Sequence, residues 1–424
     1  MKSLVKKITP RFALSAYYIA WAYVGVLLYR NPSARVKVIG VTGTNGKTSV
    51  VHIASTLLEE SGMKVGSISS LRFKIGEKEW KNEFKMTMPG RVHIQKFLRE
   101  CADAGCTVVL MEVTSEGVRQ KRHKGITFDT AVFTNLTPEH IESHGSFENY
   151  KRAKGEFFAT PHRVSVVNAD DAEADYFADF SAERTILYSA SGMDMPGECL
   201  DAREVSVGPS GISFTIDTEN FTAPLLGAFN VSNALGAIGI CAGQGIAMAT
   251  IARAFSRVAG VPGRAEIVMK RPTVVVDYAH TPDGLRKIYE MVESVREGAG
   301  KKICILGSAG GGRDKWKRPE MGAIADAFCD EIILTNEDPY DENPEAIVAH
   351  VAEGIAPGRA RIIMDRREAI AEGLKNTTRQ DIVVVTGKGA EPWMVVAGGH
   401  KVPWDDRAVV REEWAKIQGI EVGG

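Results

Sequence analysis

Short apolar runs alternate with segments of helical spacing along the first half of the chain. The apolar runs lie at residues 36–41, 64–69, 107–113, 130–133 and 164–167, and the helical segments lie at 48–60 and 91–104. Continuous apolar runs of this length are typical of strands that are buried on both faces of a sheet. The alternation predicts a doubly wound parallel sheet, in which ligands bind at the carboxyl ends of the strands.

The last third of the chain repeats this pattern after a break. Residues 261–264 (VPGR) are typical of a linker. New apolar runs follow at 273–276, 303–306, 332–335 and 382–386, with helical segments near 283–296, 318–328, 343–353 and 366–375. We therefore expect an apolar N-terminal segment at 1–35, a central domain at 36–266 and a C-terminal α/β domain at 267–424.

The first predicted strand ends in a glycine-containing loop. Residues 36–50 read VKVIGVTGTNGKTSV, so the apolar run breaks at Gly43 and a helix begins at Lys47-Thr48-Ser49. This order favours a phosphate-binding loop, although the strict pattern requires glycine where Val41 stands. An ordinary turn with a surface lysine is the alternative. We expect an α/β protein with a P-loop-type central domain on a mainly parallel sheet, followed by a Rossmann-like C-terminal domain.

One segment before this loop is long, apolar and uncharged. Residues 12–29 (FALSAYYIAWAYVGVLLY) are flanked by Lys6, Lys7 and Arg11 on one side and by Arg30 and other basic residues on the other. A helix of this length would be roughly 27 Å long, enough to cross a bilayer core. Two interpretations stay open: a membrane-associated helix, and a helix that packs on the protein.

Composition excludes several classes of protein. The chain has 424 residues, and its 52 Lys and Arg nearly balance its 53 Asp and Glu, so no global positive field predicts a nucleic-acid partner. Its six cysteines contain no CxxC pair, which argues against a zinc ribbon or a disulfide scaffold and favours a reducing compartment. We expect a cytoplasmic protein, with a peripheral contact to the inner face of the membrane as the alternative.

Titratable residues concentrate after the predicted strands. Glu112 and Asn135 follow apolar runs, so both are expected at the carboxyl edge of the sheet. His140 and His144 are four residues apart, a spacing that suits either a divalent cation or two solvated imidazoles. Lys154 lies among small and apolar residues, where a lysine is hard to solvate; a surface lysine with a buried stem is the alternative.

Three loops in the last third are also rich in functional groups. They are residues 277–280 (DYAH), 307–318 (GSAGGGRDKWKR) and 387–391 (GKGAE), and each follows a predicted strand. The glycines and cations of the second loop suit a clamp for phosphate or carboxylate. A flexible, solvated turn is the alternative.

The ordered motifs of these loops resemble the Mur ligases. In chain order they are GTNGKTS, TNLTPEHIESHGSFENYKRAKGEFF, GAFNVSN, VPGRAE, DYAHTPDGL, GGGRDKWKRPEMG and TGKGAEPW. Within that family the chain is most similar to the UDP-N-acetylmuramoyl-tripeptide synthetases, over about residues 36–415. The resemblance implies an ATP-dependent amide-bond ligase that activates a peptide carboxylate as an acyl phosphate and joins it to an amino acid.

The resemblance also implies roles for individual residues. Lys47 would stabilise the transferred phosphate, Thr48 and Glu112 would hold one Mg²⁺, and a second Mg²⁺ would be held by His140 and a carbamylated Lys154. Glu391 would orient the incoming amine. The expected ATP contacts are Thr44, Asn45, Gly46, Lys47, Thr48 and Ser49 in the loop, Asn230 at the adenine, Arg264 at the phosphates, Asp277 at the ribose, and His280 and Arg313 nearby.

Several positions depart from the family pattern. Only 35 residues precede the first strand, so the family's uridine-diphosphate-binding first domain is expected to be absent. The acceptor motif Asp-Asn-Pro-Arg reads EDPY at 337–340, Ala390 replaces a histidine, and Thr114-Ser115-Glu116 stands for Ser-Ser-His. Tyr340 cannot form the bidentate contact of an arginine, so the acceptor is expected to differ from that of the standard enzyme. The missing first domain argues against a free UDP-linked donor, and a lipid-linked precursor is the alternative.

Two rival functions remain open at this point. A folylpolyglutamate-type or cyanophycin-type ligase would use the same ATP loop and acceptor domain. A catalytically silent nucleotide-binding protein, paired with a partner subunit, would keep the fold without turnover. The presence of every expected residue favours a ligase, because a silent protein has no need of the whole set: Lys47, Thr48, Glu112, His140, Lys154 and Glu391.

Overall fold

The structure is a computed structural model that describes residues 10–84, 86–192, 197–296 and 298–420. The helices are α1 (Arg11–Leu28), α2 (Lys47–Glu60), α3 (Arg91–Asp103), α4 (Ser115–Arg119), α5 (Ile141–His144), α6 (Phe147–Phe158), α7 (Ala174–Ala178), α8 (Phe229–Gly243), α9 (Met248–Phe255), α10 (Pro282–Val295), α11 (Lys317–Phe328), α12 (Pro344–Ala352), α13 (Arg366–Leu374) and α14 (Asp406–Ile417). The flanking Lys6 and Lys7 lie outside the described residues.

The strands fall into two groups along the chain. The first group is β1 (Lys37–Thr42), β2 (Val65–Ile68), β3 (Arg72–Ile75), β4 (Lys78–Lys81), β5 (Val108–Glu112), β6 (Phe128–Phe133), β7 (Val164–Asn168), β8 (Arg184–Ser189), β9 (Cys199–Asp201), β10 (Arg203–Gly208), β11 (Gly211–Ile216) and β12 (Glu219–Ala223). The second is β13 (Glu266–Lys270), β14 (Thr273–Asp277), β15 (Lys302–Leu306), β16 (Glu331–Leu334), β17 (Ala360–Ile362), β18 (Ile382–Thr386), β19 (Trp393–Val395) and β20 (Lys401–Pro403).

The first α/β unit is built on a long sheet. In the described residues nine strands follow the order β4-β3-β2-β5-β1-β6-β7-β8-β9. All neighbours pair in parallel except at one edge, where β3 is antiparallel both to β2 and to β4. Strands β10, β11 and β12 form a small antiparallel sheet beside it. The central strand β1 therefore lies between β5 and β6, with its carboxyl end beside theirs.

Helices cover both faces of this sheet, as the continuous apolar runs predict. In β1, Val38, Ile39 and Val41 are fully buried, with Ile39 and Val41 in one hydrophobic core and Val38 in the other. The first core is completed by α2 and α8, which supply residues such as Leu57 and Leu235. Burial on both faces explains why β1 carries no polar alternation.

The second α/β unit has a smaller sheet in the order β13-β14-β18-β15-β16-β17. Its strands pair in parallel apart from β13, an antiparallel edge strand. The predicted helices and strands of this unit are present, but β13, β17, β19, β20 and α14 were not predicted. Strands of three residues, such as β17, are too short for a periodic pattern to identify.

Two cysteines of this unit form a disulfide that the sequence did not predict. Cys304 lies in β15 and Cys329 ends the helix that leads into β16, and a disulfide joins them. The two strands are paired in parallel, with Cys304 opposite Ile332, so residues 25 apart in sequence become neighbours. The spacing of the cysteines, which argued against a disulfide scaffold, therefore gave no sign of this single bridge.

The apolar segment before β1 forms α1, which packs against α3. Among the described residues, no helix combines the length and the hydropathy that a bilayer span requires. Only part of α1 is covered: Ala22 and Gly25 are buried, whereas Phe12 and Leu27 are more than three-quarters exposed. The helix is thus neither a span nor a buried core element, but a surface helix with one docked face.

Candidate functional site

The loop between β1 and α2 is built on two glycines that other side chains approach closely. Gly43 has a φ of 152°, and a Cβ there would lie 1.8 Å from the hydroxyl of Thr134. Gly46 has a φ of 84°, and its Cβ would lie 2.4 Å from the side-chain oxygen of Asn233. Both positions therefore require glycine for conformation and for space.

Residues at the end of β6 hold this loop in shape. The backbone N–H of Asn45 donates to the side-chain oxygen of Asn135 at 2.8 Å, and the Asn135 amide donates back to the Asn45 carbonyl at 3.1 Å. The hydroxyl of Thr134 donates to the same carbonyl at 2.7 Å. Asn135, predicted only as a strand-end residue, thus fixes the loop from the neighbouring strand.

Two lysine ammonium groups converge on one carbonyl of the loop. Lys47 Nζ donates to the carbonyl oxygen of Gly43 at 2.9 Å, and Lys154 Nζ, from α6, donates to the same oxygen at 2.8 Å. Lys154 is 1% exposed, which makes the surface-lysine interpretation wrong. Burial, and then the charge of Lys47, hold the pKa of Lys154 well below its usual range. Burial likewise lowers the pKa of Lys47.

Beside the loop, a hydroxyl and a carboxylate meet at the end of β5. Thr48 Oγ1 donates to Glu112 Oε1 at 2.9 Å, and the backbone N–H of Ser70 donates to the same oxygen at 2.8 Å. Arg264, from the connection between the two α/β units, donates to Thr48 Oγ1 at 3.5 Å and stacks over Tyr278 at 4.1 Å. Three separate segments thus meet beside Thr48.

The two histidines do not share a helical face. His140 precedes the single turn of α5 with a left-handed φ of 59°, and His144 ends that turn. His144 Nε2 lies 3.2 Å from the Ser115 hydroxyl, and both rings lie against Tyr150, whose hydroxyl is 3.1 Å from that of Thr44. Burial, and then Arg313 and Lys154, lower the pKa of His140 to about 2, so its imidazole is neutral.

The other predicted nucleotide contacts surround the same cleft. Asn230, in the first turn of α8, donates to the Leu226 carbonyl at 2.7 Å and accepts from Asn233 at 2.9 Å. The carboxylate of Asp277 accepts the backbone N–H groups of Ala265 and Ala279 at 2.6 and 2.5 Å. Ser49 is buried in α2. His280 Nδ1 lies 3.0 Å from the Tyr278 carbonyl, and burial holds the pKa of its ring well below the usual range.

A set of contacts, here called the clasp, ties the two α/β units together. Its centre is Asp314, whose two carboxylate oxygens accept the backbone N–H groups of Ile141 and Glu142 at 3.0 and 2.9 Å. Lys317 completes it with an ion pair to Glu139 at 2.8 Å, in which both side chains are 2% exposed. The glycine-rich loop is therefore not a freely solvated turn. It anchors the segment that carries His140.

A second charged group lies at the carboxyl end of the second sheet. Lys388 is fully buried and donates to Asp338 at 2.9 Å and to Glu391. Glu337 is 3% exposed, and its Oε2 has no hydrogen-bond partner in the described structure. Burial, and then Asp338, raise the pKa of Glu337 to about 7. Arg313 reduces this rise, so its positive charge lies near this group as well.

Protein side chains alone do not form a complete metal cage. Among the described residues, no group of three or more His, Cys, Asp or Glu side chains is arranged to hold an ion. The hydroxyl of Thr48 and the carboxylate of Glu112 do fit a Mg²⁺ that takes its remaining oxygens from a phosphate and water.

Comparison with known proteins identifies the family. The family model described as Mur ligase middle domain matches residues 41–241, and the one described as Mur ligase, glutamate ligase domain, matches 263–389. A UDP-N-acetylmuramyl-tripeptide synthetase of Roseiflexus sp. is 37% identical, over 94% of this chain and 82% of that protein. The chain belongs to the Mur ligase family. The resemblance predicted from the seven motifs is confirmed.

Further relatives agree with this family. A UDP-N-acetylmuramoyl-L-alanyl-D-glutamate–2,6-diaminopimelate ligase of Caldanaerobacter subterraneus subsp. tengcongensis is 35% identical over 94% of this chain and 82% of its own. A solved structure of a ligase with that name has a TM-score of 0.61 at 29% identity, over 91% and 79% of the two chains. A folylpolyglutamate synthase of Mycobacterium tuberculosis has a TM-score of 0.72 over 96% and 95%, but at 18% identity it shows only that the fold is shared. The predicted α/β fold class is confirmed.

Sequence reasoning missed several residues of this Mur ligase site. Ser70 and Tyr150 received no role, and neither did the clasp residues Glu139, Asp314 and Lys317. The partners in the clasp are 173 and 178 residues apart, so no local pattern indicates that they meet. Asp314 stands between Arg313 and Lys315 in the sequence, so its neighbours gave no sign of a distant partner either.

We expect Asp314→Ala to impair catalysis more than folding. Removing an acceptor of two helix N–H groups costs about 1 kcal/mol of stability, whereas the loss of orientation at His140 should lower kcat/KM by about tenfold or more. The measurement pairs thermal unfolding with steady-state phosphate release. Asp341→Ala, which removes an exposed aspartate bonded to one N–H of Gly398, is the matched control. Equal loss of kcat/KM in both variants would refute the orienting role.

The Glu337 carboxyl should make stability depend on pH. Its pKa rises from 4.5 to about 7 on folding, so across that interval the folded state retains a proton that the unfolded state has lost, and stability falls as pH rises. The unfolding free energy of Glu337→Gln, relative to wild type, should therefore increase by about 1–3 kcal/mol between about pH 5 and about pH 8. Denaturant titrations at both pH values test this, with exposed Glu345→Gln as control. A pH-independent difference contradicts the shift.

Proposed function

We propose that this protein is an ATP-dependent ligase that joins an amino acid to a carboxylate of a peptidoglycan-precursor peptide through an acyl phosphate. The observation that carries the proposal is the convergence of the phosphate-loop hydroxyl of Thr48, the strand-end carboxylate of Glu112 and the guanidinium of Arg264 within one hydrogen-bonded group. Such a group holds a nucleotide phosphate and its cation at the mouth of a cleft. The names of the relatives at 35–37% identity supply the substrate class.

The loop lysines bring the two reacting anions together. With a nucleotide bound, Lys47 moves its ammonium group from the carbonyls of Gly43 and Thr44 to the terminal phosphate, and Arg264 adds a second cation. Both charges reduce the repulsion between the phosphate and the attacking carboxylate, and they stabilise the negative charge of the transition state.

Two Mg²⁺ ions fit the residues of the cleft. Bound Mg²⁺ supplies Lewis-acid stabilisation of phosphate oxygens. Thr48 and Glu112 would hold one ion. His140 and a carbamylated Lys154 would hold the other, since the His140 imidazole is neutral and free to offer a nitrogen lone pair.

The surroundings of Lys154 favour carbamylation. Its ammonium group is buried beside Lys47, and its only hydrogen bond in the described structure goes to the Gly43 carbonyl. The disfavoured ammonium cation loses one proton to give the neutral amine, and reaction of that amine with CO₂ forms the N–C bond and releases a second proton, which leaves a carbamate anion. That anion removes the repulsion between the two lysines and gives the site a second carboxylate-like ligand.

The remaining predicted residues line the rest of the cleft. Asn230 would face the adenine and Asp277 the ribose, each already oriented by hydrogen bonds to backbone groups. His280, Arg313 and Glu391 would lie between the nucleotide and the amine. Tyr340, in place of the family arginine, indicates an acceptor that is not held there by a bidentate carboxylate contact. The proposed units are residues 36–266 for ATP and 267–424 for the acceptor.

The proposed partners are a peptide-carboxylate donor and an amino-acid acceptor. The proposal includes a membrane contact through α1 and, with it, a donor that is lipid-linked. No nucleic-acid partner is proposed, because the charge of the whole chain is −1. A partner subunit would be invoked only if the purified chain binds ATP and turns over no donor.

Lys47→Ala should abolish ligation. Loss of the cation that meets the transferred phosphate is expected to lower kcat by about a hundredfold or more. The assay is phosphate release from ATP with UDP-muramyl dipeptide, its lipid-linked form, folate or short acidic peptides, each crossed with amino acids, and with products identified by mass. Lys96→Ala, on the exposed face of α3, is the matched control. An active Lys47→Ala variant refutes the mechanism, and a product formed only with folate refutes the muramyl substrate class.

Lys154→Ala should also be inactive, but its activity should return in part with added acetate, because acetate can place a carboxylate in the space that the side chain leaves. In the wild-type protein, ¹³C-labelled bicarbonate should give a carbamate carbon signal that the variant lacks. Lys151→Ala, one turn of α6 away and paired with Glu148 and Glu173, should keep both the signal and the activity. A wild-type protein that is active without any carbamate signal refutes the modification.

A further inference from the structure

We infer that the exposed face of α1 is a docking surface for an anionic lipid bilayer, on which the helix lies parallel to the membrane plane. The docked face of α1 fixes its orientation. A Cβ on Gly25 would lie 3.3 Å from the Cα of Val92 in α3, so the two helices approach closely there. Two turns earlier, the Arg91 guanidinium stacks over the Tyr18 ring at 4.0 Å. The helix is held against α3 from Tyr18 to Gly25, which sets the direction of its outer face.

The outer face is apolar and aromatic. Phe12, Tyr17, Trp21, Val24, Leu27 and Leu28 are each between 45% and 79% exposed. From Tyr17 onward, Trp21, Val24 and Leu28 follow at intervals of three or four residues, which places them in one stripe. Tyrosine and tryptophan prefer the interface between lipid and water, where a ring can be buried while its polar atom stays hydrated.

The basic residues around α1 favour a lipid bilayer over a protein groove as the partner of this face. The 46 residues before Lys47 contain seven Lys and Arg and no Asp or Glu, although the whole chain carries −1. Just after α1, Arg30 and Lys37 are exposed, and the side chain of Arg35 is 52% exposed. Arg35 is paired with Asp103 at 3.4 Å, but both side chains are about half exposed. An apolar helical face followed by exposed basic residues matches a surface of anionic headgroups.

The docked helix lies near the part of the site that follows Glu112. Arg91 donates to the Gln120 carbonyl, and Arg122 donates to the Met88 carbonyl. Met88 in turn packs against Gly117 of α4, which begins three residues after Glu112. Docking through α1 would thus bring this edge of the cleft towards the membrane and favour a lipid-linked donor. This last consequence rests on the proposed ligase function, whereas docking itself does not.

Vesicle sedimentation tests the docking. The full chain is mixed with vesicles of phosphatidylcholine alone or with roughly one third phosphatidylglycerol, and we expect at least about tenfold stronger partition onto the anionic vesicles, with loss at high salt. Trp21→Glu/Leu28→Glu should reduce that partition by about tenfold or more, because both carboxylates would enter the apolar interface. The substituted side chains are exposed, so thermal unfolding should be unchanged.

The control is Ile362→Glu/Val402→Glu, which makes the same chemical change at exposed apolar residues of the second unit. It should bind vesicles as the wild type does. Equal partition of both double variants, or equal binding to neutral and anionic vesicles, overturns the inference. A second result would also overturn it: the wild-type protein does not bind vesicles but forms a dimer by light scattering, and Trp21→Glu/Leu28→Glu dissociates that dimer. Phosphate release with a soluble donor, measured on the same samples, reports separately on the ligase function.

Discussion

The site depends on gathering several basic side chains at one buried loop. Lys47 and Lys154 both donate to the carbonyl of Gly43, and Arg264 lies beside the neighbouring Thr48. Like charges in a buried region repel one another, and burial adds the cost of lost hydration. The fold sustains the arrangement by anchoring each group to rigid elements: α2, α6 and the connection into β13. An anion that enters this cleft meets basic groups that the fold has already brought to the loop, so little of the cost of gathering them falls on the binding step.

The structure explains why some parts of the fold and of the candidate site could be predicted from the sequence and others could not. The loop at Gly43 and the strand-end position of Glu112 follow from local patterns, because a buried strand and the turn after it involve adjacent residues. The burial of Lys154 was suggested by its apolar neighbours. Asp314 could not be assigned, since its partners Ile141 and Glu142 are brought to it only by the packing of two separate sheets. The disulfide of Cys304 and Cys329 was missed for the same reason, because the two cysteines meet only when β15 and β16 pair. The three-residue strands were missed because they are too short to show a periodic pattern.

The proposed ATP site follows the family pattern more closely than the proposed acceptor site does. Around the phosphate loop, the predicted residues lie together and their hydrogen bonds suit a nucleotide. Around the second sheet, Tyr340 and Ala390 replace family residues, and the orphaned oxygen of Glu337 leaves a polar group ready for a ligand. A polar atom buried without a partner is costly, so a ligand that bonds to it gains more than the same contact would give in water. The acceptor end is therefore where this chain has room to differ from its relatives.

The clasp also bears on how easily the enzyme can release its product. Glu139 and Lys317 form an ion pair from which water is almost completely excluded. Separating the two units would return both charges to water, and the hydration they regain offsets most of the attraction they lose. A closure sealed by apolar surface would lack this compensation and would open slowly. A buried ion pair at this boundary would let the two units exclude water during phosphoryl transfer and still separate to release the product.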